Sequence, residues 1–341
     1  MKKNIAFVRI LKKIIKVFVQ VVFVSLVFFI FLFSSCTRHS HENVISVRHI
    51  HKYGYDISKE DWNSSQCPGK IVTYFRDGKT VVESYEDGSL HGWKTETYPH
   101  SRILYSAEEY DKGLLLKKIF YSLRGIPEIE HAFLDNKVII TTWFSSGSPR
   151  SREIYEDTYL IDGQYFNLKN ELESSIERGS GERLIRDTSG NLLAKEVLFQ
   201  SVVHYKETYY PNNFPHYVIF YDDNGLIHGE FKEFAINGEP IIAEQYCQGL
   251  KHGLCCYYQN GLKYLEAEFY QGQKHGTERQ FVDGEVLVQE TEYQYGKKQG
   301  ACVTYCDGSR STYWYFQNHL VSKEKYHKLM KREQYFIKLQ K

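Results

Sequence analysis

The sequence contains no Gly-x-Ser-x-Gly, no His-Glu-x-x-His and no phosphate-cradling glycine loop, so it offers no nucleophile elbow, zinc-protease helix or nucleotide site. This points away from an enzyme, a cofactor or a small-molecule substrate. Its seven cysteines include no Cys-x2-Cys pair, which removes the commonest zinc spacing. Basic clusters are missing too, apart from the two ends. Six of the 43 basic residues (Lys2, Lys3, Arg9, Lys12, Lys13, Lys16) lie in residues 1–16; without them 37 bases face 42 acids, a net charge of −5. A mildly acidic chain with no basic stripe lacks the electrostatic footprint of a nucleic-acid binder.

The basic start runs into Val17–Phe33, apolar apart from Gln20 and Ser25, and then into Ser34-Ser35. That order is an export signal. Phe33-Ser34-Ser35-Cys36 resembles the bacterial lipobox, with Phe33 where leucine is usual. The resemblance implies cleavage before Cys36 and lipidation of its thiol. The other reading is an uncleaved anchor, since the apolar run is at the short end of what spans a bilayer. Both put the remainder on the exported side, membrane-anchored in the bacterial cell envelope. Lipidation at Cys36 would suffice as sole anchor. Thr37 to Asn43, with His39, His41 and Glu42, reads as a short polar tether rather than a metal site.

The stretch from Gly225 to Gly308 repeats itself. Gly229, Gly253, Gly276 and Gly300 follow at intervals of 24, 23 and 24, and each opens a strand-like run that breaks at Gly238, Gly261, Gly284 or Gly308. Gly249, Gly272 and Gly296 close the first three units, and Leu-Lys-His, Gln-Lys-His or Lys-Lys-Gln follows. Phe234, Tyr258, Phe281 and Tyr305 stand five residues after the opening glycines; Tyr246, Phe269 and Tyr293 stand three before the closing ones. A period in this range marks a repeat architecture. Asn260-Gly261 and Asp283-Gly284 favour tight hairpins, because both turn residues need positive φ. Leu265, Ala267 and Phe269 alternate with Glu266, Glu268 and Tyr270, the period of a strand with one drier face. Each repeat is predicted to be a β-hairpin. Its carboxylates are expected on the wetter face and its aromatic columns, with rings about 10 Å apart, as a continuous spine.

His252-Gly253, Tyr257-Tyr258 and Asn260-Gly261, followed by glutamates and an aromatic before the next glycine, form the cleanest copy. The pattern resembles the bacterial variant of the MORN repeat. That resemblance implies an elongated antiparallel meander of hairpins used for binding and scaffolding, with antitoxins of the YwqK type and lipoproteins among bacterial relatives. The expected fold is mainly β, with an N-terminal signal or anchor helix and a C-terminal amphipathic capping helix.

Weaker copies begin at Gly69, with Tyr74, Gly78, Tyr85 and Gly88, and continue through His91-Gly92, Tyr110, Phe133, Trp143, Gly147 and Tyr155. Ahead of them, Asp56–Trp62 reads as a short helical start that shields the first strand. From Asp162 to about Pro215 the period is lost: 167–178 reads as a short helix, Gly179-Ser-Gly181 as a breaker and 211–215 as a loop. An irregular junction is expected there, and with it recognition. Tyr326, Leu329, Met330, Phe336 and Ile337 share one helical face, with Lys323, Lys328, Lys331 and Lys338 largely outside it. Such a helix covers the open edge of a repeat sheet; the other reading is a helix that binds a partner or the membrane surface. The divisions are therefore signal 1–35, tether and cap 36–66, repeats 67–160, junction 161–215, repeats 216–318 and capping helix 319–341.

Cys302 and Cys306 lie four apart on one strand, about 13 Å, beyond the roughly 7 Å reach of a disulfide. Cys247 and Cys255 flank one connection and leave two readings: a bridge across adjacent strands in an oxidising compartment, or buried apolar thiols. His91, His228, His252 and His275 each precede a glycine, with Gln299 in the last copy. Equivalent positions about 10 Å apart cannot share a metal ion, so a turn hydrogen bond is expected instead. Glu266 and Glu268 imitate the carboxylate pair of a glycosidase, but on an exposed strand face they are expected to be solvated. The chain reads as a lipid-anchored scaffold that binds another protein. The alternative is an antitoxin or immunity-type inhibitor of a toxin partner.

Overall fold

The computed structural model describes residues 43–306 and 308–339. The signal 1–35, Cys36 and the tether residues His39, His41 and Glu42 lie outside them. No helix among the described residues is long and apolar enough to cross a membrane. Among the described residues the chain is mainly β, twenty-six strands in an antiparallel meander with two helices, and it divides into two units. Of the described residues, one unit comprises 43–88 with Glu96–Arg102, the other Ser89–Thr95 with 103–306 and 308–339.

In the first unit, Val44–His51 pairs with Gly69–Phe75, which pairs in turn with Thr80–Glu86. Helix α1, Lys59–Ser65, begins after Ser58, whose hydroxyl accepts the Asp61 N–H, and Glu60 and Asp61 complement its dipole. It starts three residues later than predicted because Asp56 and Ile57 extend to pair with Ile50 and His49. Trp62 projects from α1 onto His49 and Tyr85, with ring centroids 5.4 and 5.9 Å away. It thus covers the first strands, as the expected cap should.

The second unit is built of successive hairpins. Gln248-Gly249, Asn260-Gly261, Gln271-Gly272 and Tyr295-Gly296 form two-residue turns with φ of 47–52° at the first residue and 74–82° at the glycine. Only mirror-image turns match the strand twist this closely, and they require both signs. Asp283-Gly284 keeps those signs but adds Glu285 as a third loop residue, so that Val282 pairs with Val286. The opening glycines lie directly across from the closing aromatics: Gly229 faces Tyr246, Gly253 faces Phe269, Gly276 faces Tyr293 and Gly300 faces Tyr315.

That register replaces the expected spine of rings with an alternation of rings and ammonium groups. Lys251, Lys274 and Lys298 sit opposite Tyr246, Phe269 and Tyr293 on the following strand. Each lysine then reaches across a glycine, where no side chain intervenes, to the next ring. Lys251 Nζ lies 5.5 Å from the Phe269 centroid, Lys274 Nζ 5.2 Å from Tyr293 and Lys298 Nζ 5.2 Å from Tyr315. Cation–π contacts of this kind contribute about 0.5–2 kcal/mol each.

Residues 161–215 are a regular part of the meander rather than an irregular junction. Tyr159–Phe166, Leu172–Glu177, Ser180–Arg186, Leu192–Phe199 and Val202–Tyr209 are all strands, so 167–178 is a turn and a strand and not a helix. Turn chemistry explains the difference. Gln200-Ser201 reverses the chain with φ of 51° and 62° and no glycine, and Asn170 takes φ of 63° where glycine would be usual. Asn167 Oδ1 accepts the N–H groups of Lys169 and Glu171 at 2.9 and 3.0 Å, closing that turn from its own side chain. Leu160, Tyr165, Ile176 and Leu198 form a buried core in this same segment.

Helix α2, Lys323–Leu339, starts at Ser322, whose hydroxyl accepts the Lys325 N–H. It seats Tyr326 on Trp314 of strand Ser309–Phe316, centroids 5.0 Å apart, and Met330 Sδ receives the Gln299 amide at 3.0 Å. The side chains of Phe336 and Ile337 lie outside the described residues.

Candidate binding surface

Of the two glutamates expected to be solvated, Glu268 is exposed and Glu266 is ion-paired. Glu266 is buried, and its carboxylate accepts from Lys263 Nζ at 2.6 Å and Arg279 Nη1 at 3.1 Å. Arg279 also donates to Glu290, whose second oxygen receives the Tyr305 hydroxyl. The same Glu-Arg-Glu arrangement recurs in the core segment. Arg183 grips Glu153 with two donors, at 2.7 and 3.0 Å, and reaches Glu196 at 3.2 Å. Tyr155 and Tyr165 donate to Glu153 from 2.8 and 2.9 Å, and Lys206 lies 2.9 Å from Glu196. Gly163, opposite Glu153, leaves the space that the Tyr165 ring occupies. Burial alone would raise the Glu153 carboxyl, but Arg183 and the two tyrosines hold it below the ordinary value. Burial likewise opposes Glu266 and Glu244, and their cationic partners outweigh it.

These carboxylates are therefore committed to holding strands together. Glu244 accepts from Lys251 and Glu278 from Lys274, so the ring-spaced lysines serve the carboxylates as well. Glu292 folds over Gly300 and accepts the Ala301 N–H at 3.2 Å. Arg183, Glu153 and Glu196 escaped the sequence reading because they carry no period. The lysines did carry one: Lys251, Lys274 and Lys298 follow the closing glycines at every step.

Of the two readings left for Cys247 and Cys255, the bridge is not formed; both are free thiols, Cys255 buried and Cys247 half-buried. Cys247 pairs with Leu250 at the end of its hairpin, whereas Cys256 faces Ala243, which sets Cys255 three residues further along the strand. That offset is about 10 Å, outside disulfide reach. Cys255 is fully buried against Ala267 on the following strand.

The repeat histidines do not share one role. His275 Nδ1 accepts the Tyr295 N–H at 3.5 Å, the turn bond expected of it, and His91 Nδ1 lies 3.2 Å from Asp111. His228 is exposed. His252 instead sets its ring at a tilt against Tyr270. The rings continue as a ladder: His252 to Tyr270 at 5.1 Å, Tyr270 to His275 at 5.8 Å and His275 to Tyr295 at 4.7 Å. Tyr270 is 42% and Tyr295 58% exposed, and Leu250, beside the Gly272 turn, is 50% exposed. Of the other repeat aromatics, Phe281 carries Lys263 Nζ at 4.5 Å and Tyr258 is half-buried. The ladder's tyrosines face solvent beside the two-residue turns, whereas Tyr258 and Phe281 of the inner columns are half-buried.

No family model matches the chain, and no curated protein matches it. Among solved structures, S. aureus TarM in complex with Fondaparinux, alpha-GlcNAc-glycerol and UDP is 10% identical over 40% of this chain and 21% of that one, with a TM-score of 0.19. The chain thus spans about a fifth of that protein's length. A porin-like protein from Bacteroides uniformis is 9% identical over 78% of this chain and 92% of that one, with a TM-score of 0.15. At such TM-scores neither protein bears on what this chain binds.

Proposed function

We propose that this chain is a non-enzymatic MORN-like lipoprotein, held in the bacterial envelope through an acylated Cys36, whose hairpins present a binding surface to another protein. The carrying observation is the ladder of His252, Tyr270, His275 and Tyr295, whose two tyrosines are exposed. Tyrosines of this kind give large contact area at low entropic cost, and exposed apolar clusters of this kind mark interaction sites. The engagement of Glu153, Glu244 and Glu266 in ion pairs supports binding over acid-base chemistry.

The test is made in the native envelope, with a photo-crosslinking residue at Tyr270 and a control at the exposed Glu285. A single crosslinked protein is expected from position 270 and none from 285. Tyr295→Ala is expected to lower the yield about tenfold while changing stability by less than about 0.5 kcal/mol. Cys36→Ala should abolish incorporation of a labelled fatty acid. Equal crosslinking from both positions contradicts the surface; unchanged labelling of Cys36→Ala contradicts the anchor.

A further inference from the structure

Helix α2 has two faces, one of which packs on the sheet. Tyr326, Leu329, Met330 and Glu333 turn toward the sheet and are half-buried, with Tyr326 and Met330 fixed by Trp314 and Gln299. Lys323 joins that side, its Nζ 5.8 Å from the Trp314 centroid. At 3.6 residues per turn, Lys325, Lys328, Lys331, Arg332 and Tyr335 fall within roughly a third of the circumference on the outward side. All are exposed, Tyr335 at 64%. Glu324 is the one acid that shares the arc.

Several cations of the sheet are compensated within the fold. Lys118, Lys206 and Lys263 are each paired with a glutamate, at 2.9, 2.9 and 2.6 Å. Among the described residues, none of the four arc cations makes an ion pair. Four uncompensated charges surround an aromatic side chain that suits a water–lipid boundary. The chain beyond its first sixteen residues is net acidic, so this arc is where it can approach a negative surface without repulsion.

We propose that the outer arc of α2 docks on an anionic bilayer, with lipid phosphates against Lys325, Lys328, Lys331 and Arg332 and Tyr335 at headgroup depth. Each cation near such a surface strengthens attachment roughly fivefold. The contact goes beyond the Cys36 anchor and does not rest on it, because it is made by the other end of the chain.

The full chain, reconstituted into vesicles of phosphatidylcholine with or without phosphatidylglycerol, is treated with a water-soluble lysine-acetylating reagent and mapped by mass spectrometry. Phosphatidylglycerol is expected to lower the reactivity of Lys325, Lys328 and Lys331 at least about fivefold. The exposed Lys52 should not change, and about 1 M salt should restore reactivity, since screening then reaches within about 3 Å. The double variant Lys328→Gln, Lys331→Gln keeps good helix formers and should remove the protection of Lys325; circular dichroism checks that the helix remains. Equal reactivity in both vesicles overturns the proposal, as does protection by a soluble DNA duplex in place of vesicles. Any anchor at Cys36 acts equally in both vesicle types, so its failure cannot imitate either outcome.

Discussion

Arg183→Ala is expected to lower stability by about 3–5 kcal/mol, the cost of leaving a buried carboxylate without its cation. Glu153 and Glu196 are only 7% and 5% exposed, and Arg183 is the group that links them. Lysine is a poor substitute, since one ammonium cannot reproduce the two-donor grip on Glu153 while also reaching Glu196. The loss has a pH signature. Glu153 titrates below its ordinary value of 4.5 in the fold, so its contribution is fully present above about pH 4.5 and disappears as pH falls through the lower, folded value. Urea midpoints measured from about pH 7 to about pH 3 should therefore fall steeply in acid for the native chain and less steeply for Arg183→Ala. Parallel acid limbs would mean that the network contributes nothing.

Gly181→Ala is expected to cost at least about 3 kcal/mol, more than a glycine at an open turn. An added Cβ would stand 2.2 Å from the Ser175 carbonyl oxygen and 3.0 Å from Ile176 Cα, at a backbone φ of 144°. Those atoms belong to the neighbouring strand and cannot swing aside. Gly181 pairs with both Ile176 and Leu198, so parting its strands opens the buried core. Gly225 supplies the comparison: it too has positive φ, at 73°, but nothing lies within 4 Å of its added Cβ. Gly225→Ala should cost only the conformational term, about 1–2 kcal/mol. Equal losses in the two variants would show that Gly181 is not packed as described.

The hairpins were legible wherever glycine filled the left-handed turn positions. From Gly225 onward the opening and closing glycines could be counted, and the structure puts them at bulges and turns. Where Asn170, or Gln200 with Ser201, took those positions, the period vanished from the sequence although the strands continued. The inner columns were legible as positions but not as contacts. A ring every hairpin says nothing of the lysine between rings until the register brings Lys251 opposite Tyr246 and leaves Gly253 empty beside it. Glu266 was misread for a related reason: alternation showed which face it occupies, but Lys263 and Arg279 converge on it only across strands. The ladder depended on both. Histidine before glycine was visible in the sequence, whereas its ring contact with Tyr270 required the turn geometry.

The central claim is the strand register, since it sets both the lysine and ring alternation and the outward ladder. Thr291 lies opposite Cys302, with its Oγ1 3.4 Å from the thiol sulfur. The single substitution Thr291→Cys, followed by mild oxidation and peptide mapping, is predicted to yield one new crosslink, between positions 291 and 302. A crosslink from 291 to Cys306, to Cys255 or to another chain, with Cys302 left as a free thiol, would contradict the register and the surface built on it.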